Sequence, residues 1–200
     1  MQTTTAALDR LCDPDCEVSA HYLISATGKV YQIVDESDRA WHAGAGAWGA
    51  CTDVNSRSVG IELANTGTTP FSAPQMDSLE RLLGGVMQRW KIPPERVIGH
   101  ADMAPSRKAD PGRLFDWNRL ARSGVSVWPG SGPDLAANEG VFCDLAQQFG
   151  YPVAQGFPSV FAAFRLRFRP KATSSLDPAD MGLIADLARR YPVDQPHPSA

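Results

Sequence analysis

Two strand patterns followed by one long amphipathic helix constrain the fold of this chain more than any other feature. The stretch VSAHYLISATGKVYQIV predicts strands at Val18–Ile24 and Val30–Val34, joined by a turn at residues 26–28. Apolar residues then recur with helical spacing at Met76, Leu79, Leu82, Leu83, Val86 and Trp90. Strands that alternate with helices over residues 1–128 predict an α/β layer domain.

The remaining elements follow from shorter patterns. A helix is predicted at residues 3–11, a short strand in SVGIELAN, another in the apolar run before His100, and a helix in LFDWNRLARSG. Residues 129–134, PGSGPD, have the composition of a linker. Three helices that could form a small bundle are predicted beyond it, at Leu135–Phe149, Pro158–Phe168 and Pro178–Tyr191.

Composition excludes several classes of protein. The chain of 200 residues has a net charge of −3 and is 43% hydrophobic, which is typical of a globular protein without the polycation signature of nucleic-acid binders. Neither a membrane span nor a signal peptide is visible. The four cysteines are expected to be free thiols, although a Cys12–Cys16 disulfide stays open.

The loop GHADMAPSRKADPG gathers groups that suit metal chemistry. His100 and Asp110 could both bind one zinc ion, since zinc accepts imidazole nitrogen and carboxylate oxygen. Lys108 would then stabilise a developing negative charge, and Asp102 could orient an imidazole from behind. An ordinary salt-bridged loop with a hydrogen-bonded histidine is the alternative.

Polar groups in two further segments are candidates for the same site. Glu62 lies inside an apolar strand, where a carboxylate is either a general base with a raised pKa or an outward-facing side chain. Trp41 and His42 lie on a glycine-rich loop of the kind that often lines ligand sites, although Trp41 could instead pack on the sheet. His21 could simply be a hydrogen-bonded strand residue.

Five segments, in order, resemble the zinc-dependent N-acetylmuramoyl-L-alanine amidases of the Amidase_2 type. They are VSAHYLISATGKVYQIV, RAWHAGAGAW, DVNSRSVGIELAN, PFSAPQMDSL and GHADMAPSRKADPGRLFDW. The resemblance implies a mixed central β-sheet flanked by helices and cleavage of the amide between N-acetylmuramic acid and L-alanine of the stem peptide. An inactive relative that only binds muramyl peptides is the alternative.

The resemblance also implies a role for each candidate residue. His100 and Asp110 match zinc ligands, Glu62 matches the glutamate that accepts a proton from the attacking water, and Lys108 matches the lysine that steadies the oxyanion. Four residues are expected to bind substrate: His21, Trp41, His42 and Asn65. The expected partner is peptidoglycan or a muropeptide, and the chain is expected to be a monomer.

One zinc ligand of the family has no counterpart in this chain. The first histidine normally stands in an HYTxM-like stretch, and Met1 falls where that stretch would finish. We expect the chain to begin at an internal methionine, because loss of a strand within the sheet would leave an open edge. A complete, metal-poor chain is the alternative.

The C-terminal part resembles a helical peptidoglycan-binding module. The segments GVFCDLAQQFGY, VFAAFRLRFRP and LDPADMGLIADL carry this likeness over residues 135–192. Such a module would hold the enzyme on polymeric wall, whereas the alternative is an appendage that only buttresses the catalytic part. A wall-binding module favours location of the protein in the cell envelope, that is in the periplasm or at the outer membrane, over location in the cytoplasm.

Overall fold

The computed structural model describes residues 3–194, which form seven α-helices and three short strands. The strands are β1 (Tyr22–Ile24), β2 (Val30–Gln32) and β3 (Ile61–Leu63). The helices are α1 (Thr4–Cys12), α2 (Ala73–Trp90), α3 (His100–Met103), α4 (Trp117–Arg122), α5 (Glu139–Phe149), α6 (Phe157–Phe168) and α7 (Pro178–Arg190). His197, to which the sequence assigns no role, lies outside the described residues.

The sheet is mixed, as expected from the sequence. Its order is β2-β1-β3, with β1 antiparallel to β2 and parallel to β3. Ile24 lies opposite Leu63 and packs on the apolar face of α2, whereas Leu23 lies opposite Glu62 and packs towards α1. Because side chains alternate between the two faces of a sheet, Glu62 faces away from α2.

The long helix α2 forms where periodicity predicts it. Its N-cap is Ser72, whose hydroxyl accepts a hydrogen bond from the backbone of Gln75, and it ends at Lys91 in the left-handed conformation. Its apolar stripe packs on the sheet together with residues from α4. The fold class predicted from the sequence is therefore confirmed.

The prediction of a strand immediately before His100 is wrong. Residues 97–99 have no regular structure, and His100 is the first residue of α3. A strand requires a neighbour that pairs with its backbone, and within residues 3–194 β3 pairs only with β1. Gly99 is the N-cap of this helix, and its amide donates a hydrogen bond to the carboxylate of Asp102.

The three C-terminal helices share one apolar core with the α/β part. Phe142, Phe149 and Phe164 pack in the same cluster as Trp48 and Ala101. The linker candidate is packed as well: the Gly130 amide donates to Asp186 at 2.8 Å, and a Cβ on Gly132 would come within 1.8 Å of Gly182. The domain boundaries at residues 128 and 135 stay a prediction.

Within residues 3–194, no helix combines the length and the apolar character needed to cross a bilayer. All four cysteines stand as free thiols in the structure, Cys12 and Cys16 included.

Candidate active site

His100 and Asp110, predicted as metal ligands, lie in direct contact. The Nδ1 atom of His100 is 2.6 Å from Oδ2 of Asp110. The backbone couples them too, since the Ala101 amide donates to the carbonyl of Asp110 at 2.9 Å. The two side chains are thus brought to one point by α3 and by the loop that returns to it.

The backbone of His42 determines which nitrogen of His100 is available to a ligand. The Nε2 atom of His100 is 2.7 Å from the His42 carbonyl oxygen, which can only accept a hydrogen bond. Nε2 therefore carries a proton and Nδ1 points towards Asp110. Imidazoles that bind metals commonly donate their second nitrogen to a carbonyl in this way.

The charges of the pair stabilise each other. Burial lowers the pKa of His100, but the hydrogen bond and the charge of Asp110 outweigh it, so the pKa is raised overall. Burial raises the pKa of Asp110, but His100 outweighs that effect and the pKa falls below its usual value. Both shifts favour an imidazolium–carboxylate pair in the absence of another cation.

Glu62 has the environment of a general base. Burial raises the pKa of its carboxyl, Asp110 adds to this rise, and the positive charges of His100 and Lys108 oppose it. The direction of this shift is the one expected from the sequence, and the half-buried side chain of Glu62 lies on the wall of a cavity. A carboxylate with a raised pKa accepts a proton more readily at neutral pH.

These groups line one cavity of about 720 Å³. Seven of the predicted site residues lie on its wall: Trp41, His42, Glu62, Asn65, His100, Lys108 and Asp110. Asn65 also shapes the wall, since its side-chain oxygen accepts the Gly67 amide at 2.7 Å. Arg10 and Arg57 line the cavity too; the sequence did not single them out, because an isolated arginine carries no pattern.

His42 is the neutral imidazole of the site. Burial first, and then the charges of His21 and His100, lower the pKa of its side chain to about 4. Its backbone amide is held by Asn55 at 3.0 Å, and Asn55 also binds the next amide along the chain. The glycine-rich loop is therefore anchored where its carbonyl meets His100.

The expectation that His21 binds substrate is wrong. The side chain is 1% exposed, and both ring nitrogens are occupied within the protein. Nδ1 accepts the Gly60 amide at 2.9 Å, and Nε2 lies 3.1 Å from the carbonyl of Asp38. His21 is the hydrogen-bonded histidine that the sequence left open as the alternative.

The two tryptophans of the glycine-rich loop have opposite environments. Trp41 is 54% exposed and lies under the guanidinium of Arg39, 4.1 Å from the ring centre, so packing on the sheet is excluded. Trp48 is 3% exposed and packs edge-on against Phe149 and Tyr151. Of these two tryptophans, Trp41 is the one whose side chain is largely exposed.

Asp102, expected to orient an imidazole, makes no direct hydrogen bond to one within residues 3–194. Its hydrogen bonds go to Tyr151, to Arg167 and to the amide of Gly99, while both nitrogens of His100 are engaged elsewhere. Sequence reasoning missed Tyr151 and Arg167. The available signal was an arginine at a helix position flanked by Leu166 and Phe168.

The donors present fit part of a zinc site. His100 Nδ1 and Asp110 Oδ2 converge with the second nitrogen of His100 already fixed. A catalytic zinc ion normally takes three protein ligands, and within residues 3–194 no group of three histidine, cysteine or acidic side chains could hold a metal ion. A complete site would need one donor more than this pair supplies.

The sequence of this chain is similar to those of known amidases. The family model Amidase_2, described as N-acetylmuramoyl-L-alanine amidase, matches residues 1–113. The chain is 35% identical to the amidase AmiD of Escherichia coli, over 90% of this chain and 77% of that protein. It is 42% identical to the 1,6-anhydro-N-acetylmuramyl-L-alanine amidase AmpD of Haemophilus influenzae, over 53% of this chain and 58% of that protein.

Two solved structures extend the similarity into the C-terminal helices. AmiD of Escherichia coli, bound to anhydro-N-acetylmuramic acid-L-Ala-D-gamma-Glu-L-Lys, superposes with a TM-score of 0.86 at 32% identity, covering 94% of this chain and 85% of that one. AmpDh3 of Pseudomonas aeruginosa, in complex with an anhydromuramic pentapeptide, has a TM-score of 0.83 at 25% identity, covering 96% and 89%.

Proposed function

Because this chain belongs to the Amidase_2 family of N-acetylmuramoyl-L-alanine amidases, we propose that it hydrolyses the amide between N-acetylmuramic acid and L-alanine in peptidoglycan or muropeptides. The observation that carries the proposal is the placement of Glu62, a half-buried carboxylate with a raised pKa, on the cavity wall that also holds His100, Asp110 and Lys108. This set suits water attack on an amide.

The shape and charge of the cavity support a muramyl peptide as substrate. Stem peptides carry carboxylates, and Arg10, Arg57 and Lys108 line the same wall. The exposed ring of Trp41 adds an apolar surface to the lining of the same cavity. The ligands named for the AmiD and AmpDh3 structures combine these chemical features, a sugar acid joined to a peptide.

We propose zinc as the cofactor, with His100 and Asp110 as two of its ligands. When bound, zinc supplies a Lewis acid that polarises a carbonyl and acidifies water. The His42 carbonyl would keep Nδ1 of His100 turned to the ion, because it holds the proton on Nε2. The support for zinc is the geometry of these two protein donors, His100 Nδ1 and Asp110 Oδ2.

The chain's own residues account for the proton and for the developing charge. Glu62 accepts the proton of the attacking water and delivers it to the leaving amine, as its burial and raised pKa favour. The ammonium of Lys108 stabilises the negative charge that develops on the carbonyl oxygen. The Lys108 amide is fixed by the carbonyl of Ala104 at 2.9 Å, which ties this residue to the end of α3.

The test uses paired substitutions and a defined substrate. Release of the peptide from anhydro-N-acetylmuramic acid-L-Ala-D-gamma-Glu-L-Lys is followed by chromatography in the presence of zinc. Glu62→Gln and Lys108→Met should each lower kcat by about 100-fold or more. The matched controls are Glu139→Gln and Lys171→Met, which change exposed residues far along the chain. Full activity of either site variant would refute the assigned roles.

The incomplete donor pair favours a second candidate function. A protein of this fold that binds muramyl peptides without cleaving them would need the cavity but not a full metal site. Calorimetric titration with the same tripeptide distinguishes the two functions, because a binding protein would give saturable heat without release of peptide. Zinc content measured on the same sample shows whether lack of metal accounts for lack of cleavage.

We also propose that the C-terminal helices contact the glycan–peptide polymer and that the protein acts in the cell envelope. The support is the resemblance of residues 135–192 to a peptidoglycan-binding module. Since these helices share a core with the rest of the chain, surface substitutions test the idea better than deletion. Variants of exposed residues on α5 should weaken pelleting with insoluble peptidoglycan while cleavage of the soluble tripeptide is unchanged.

A further inference from the structure

We propose that Arg167 and Tyr151 are positioning residues for His100, which they hold in place through Asp102. Both residues come from the C-terminal helical part of the chain, outside residues 1–113 that match the family. The inference rests on the proposed role of His100 at the amidase site. It assigns the C-terminal helices a part in building that site, in addition to any contact with the cell wall.

Asp102 is the link between the two parts of the chain. Its carboxylate is 2% exposed and accepts three hydrogen bonds. Oδ1 accepts the hydroxyl of Tyr151 at 2.8 Å, and Oδ2 accepts both Nη1 of Arg167 at 2.8 Å and the Gly99 amide at 2.9 Å. A buried carboxylate with this many donors is held in one orientation.

Asp102 in turn holds the turn that carries His100. The Gly99 amide donates to the Asp102 side chain, and the Asp102 amide donates to the Gly99 carbonyl at 3.1 Å. These two hydrogen bonds close the turn of the backbone that contains His100. Helix α3 has only four residues, and a single helical turn does not hold its shape alone. Its geometry therefore depends on what clamps Asp102.

Arg167 clamps more than one segment of the α/β part. Its Nη2 donates to the carbonyl of Val97 and to the hydroxyl of Ser126, both at 3.1 Å. Its guanidinium lies 4.1 Å from the ring centre of Trp117. A planar guanidinium that donates hydrogen bonds to three partners and stacks on an aromatic ring cannot be replaced by the ammonium of a lysine.

Tyr151 allows a milder perturbation of the same carboxylate. Its ring packs against Trp48 and Phe149, so the apolar contacts survive removal of the hydroxyl. Tyr151→Phe therefore takes one of three donors from Asp102 and leaves the core in place. This variant keeps the inference testable even if Arg167→Lys does not fold.

Arg165 provides a matched control on the same helix. It is buried like Arg167 and pairs with a buried aspartate, its Nη2 lying 2.6 Å from Oδ2 of Asp180. Asp180 belongs to α7, so this ion pair joins two C-terminal helices and does not reach α3. Arg165→Lys disturbs the helical part without disturbing Asp102.

The experiment compares Tyr151→Phe, Arg167→Lys and Arg165→Lys in the whole protein. Two-dimensional ¹H–¹⁵N spectra of the histidine rings report the environment of His100, with His21, buried behind Gly60, as internal reference. We expect the His100 signals to shift in Tyr151→Phe and Arg167→Lys but not in Arg165→Lys. Denaturant unfolding of each variant measures the change in global stability.

Kinetics on the muramyl tripeptide gives the second readout. Loss of a residue that orients a metal ligand from behind lowers activity by about 10- to 100-fold. We expect kcat to fall by at least about 10-fold in Tyr151→Phe with KM unchanged, and to stay normal in Arg165→Lys even where stability falls equally.

Two results would overturn the inference. One is a Tyr151→Phe variant whose His100 signals match the unchanged protein, and the other is a parallel loss of activity in Arg165→Lys. The spectra do not depend on catalysis. An unchanged protein that holds zinc but has no amidase activity would refute the proposed function and leave the positioning test intact.

Discussion

Substitution of Trp48 tests how firmly the C-terminal helices are joined to the glycine-rich loop. Trp48 belongs to that loop, yet its ring centre lies 5.3 Å from that of Phe149 and 5.2 Å from that of Tyr151. The loop amide of Gly49 also donates to the carbonyl of Gly150 at 2.8 Å. We expect Trp48→Ala to destabilise the whole chain, because it empties the centre of this junction.

The expected magnitude follows from burial. Truncation of a buried aromatic residue to alanine costs about 3–5 kcal/mol, and Trp48 is 3% exposed. The indole Nε1 has no hydrogen-bond partner within residues 3–194, and an unsatisfied buried donor costs about 1–3 kcal/mol. Trp48→Phe removes that donor and keeps a ring, so its net cost should stay below about 2 kcal/mol.

Urea unfolding followed by far-ultraviolet circular dichroism measures these differences. Trp90→Ala is the control, since Trp90 is 49% exposed and lies at the end of α2. A single transition that moves to lower urea in Trp48→Ala, with the slope unchanged, is the expected result. Equal losses for Trp48→Ala and Trp90→Ala, or two separate transitions in the unchanged protein, would refute a shared core.

Two further predictions concern residues around the sheet. Glu36 accepts hydrogen bonds from Arg89, Tyr22 and Trp90, and these partners, Arg89 first, outweigh burial and lower its pKa to about 2. Because the pKa of Glu36 is lower in the folded state than in the unfolded state, its charged form stabilises the fold, by about 1–2 kcal/mol relative to Glu36→Gln. This difference in unfolding free energy should be full above pH 4.5 and should disappear towards pH 2. A difference that is constant with pH would contradict the prediction. A Cβ on Gly60 would lie 2.3 Å from the ring of His42, so Gly60→Ala should lower the free energy of unfolding in urea by about 1–3 kcal/mol. Gly84→Ala is the control: no atom lies within 4 Å of the added methyl group, and the free energy of unfolding should rise by about 0.5–1 kcal/mol.

Local patterns in the sequence predicted the elements and the segments that carry the site. The periodicity of Met76, Leu79, Leu83 and Val86 located α2, and its apolar face is buried as expected. The loop from His100 to Asp110 was recognised by residue types that suit metal chemistry, and its two ends meet in the structure. These features are local, so spacing along the chain is enough to predict them.

The environments of individual polar and aromatic residues were decided by tertiary structure. His21 and His42 lie in similar strand or loop contexts, but only His42 lines the cavity, because Gly60 and Asp38 occupy both nitrogens of His21. Trp41 and Trp48 are seven residues apart in one loop, and the C-terminal helices bury only the second. Imidazole and indole groups suit both a core and a ligand site, so their type does not tell which neighbour they meet.

Asp102 also shows that contacts between distant parts of the chain cannot be predicted from the neighbouring sequence. Two positions from His100, it was assigned to an imidazole by proximity in sequence, yet its partners Tyr151 and Arg167 lie 49 and 65 residues further along the chain. Such pairs form because burial of a charge requires a hydrogen-bonded partner of opposite sign or complementary polarity. Which partner supplies it depends on how α6 packs on α3, and only the folded chain determines that contact.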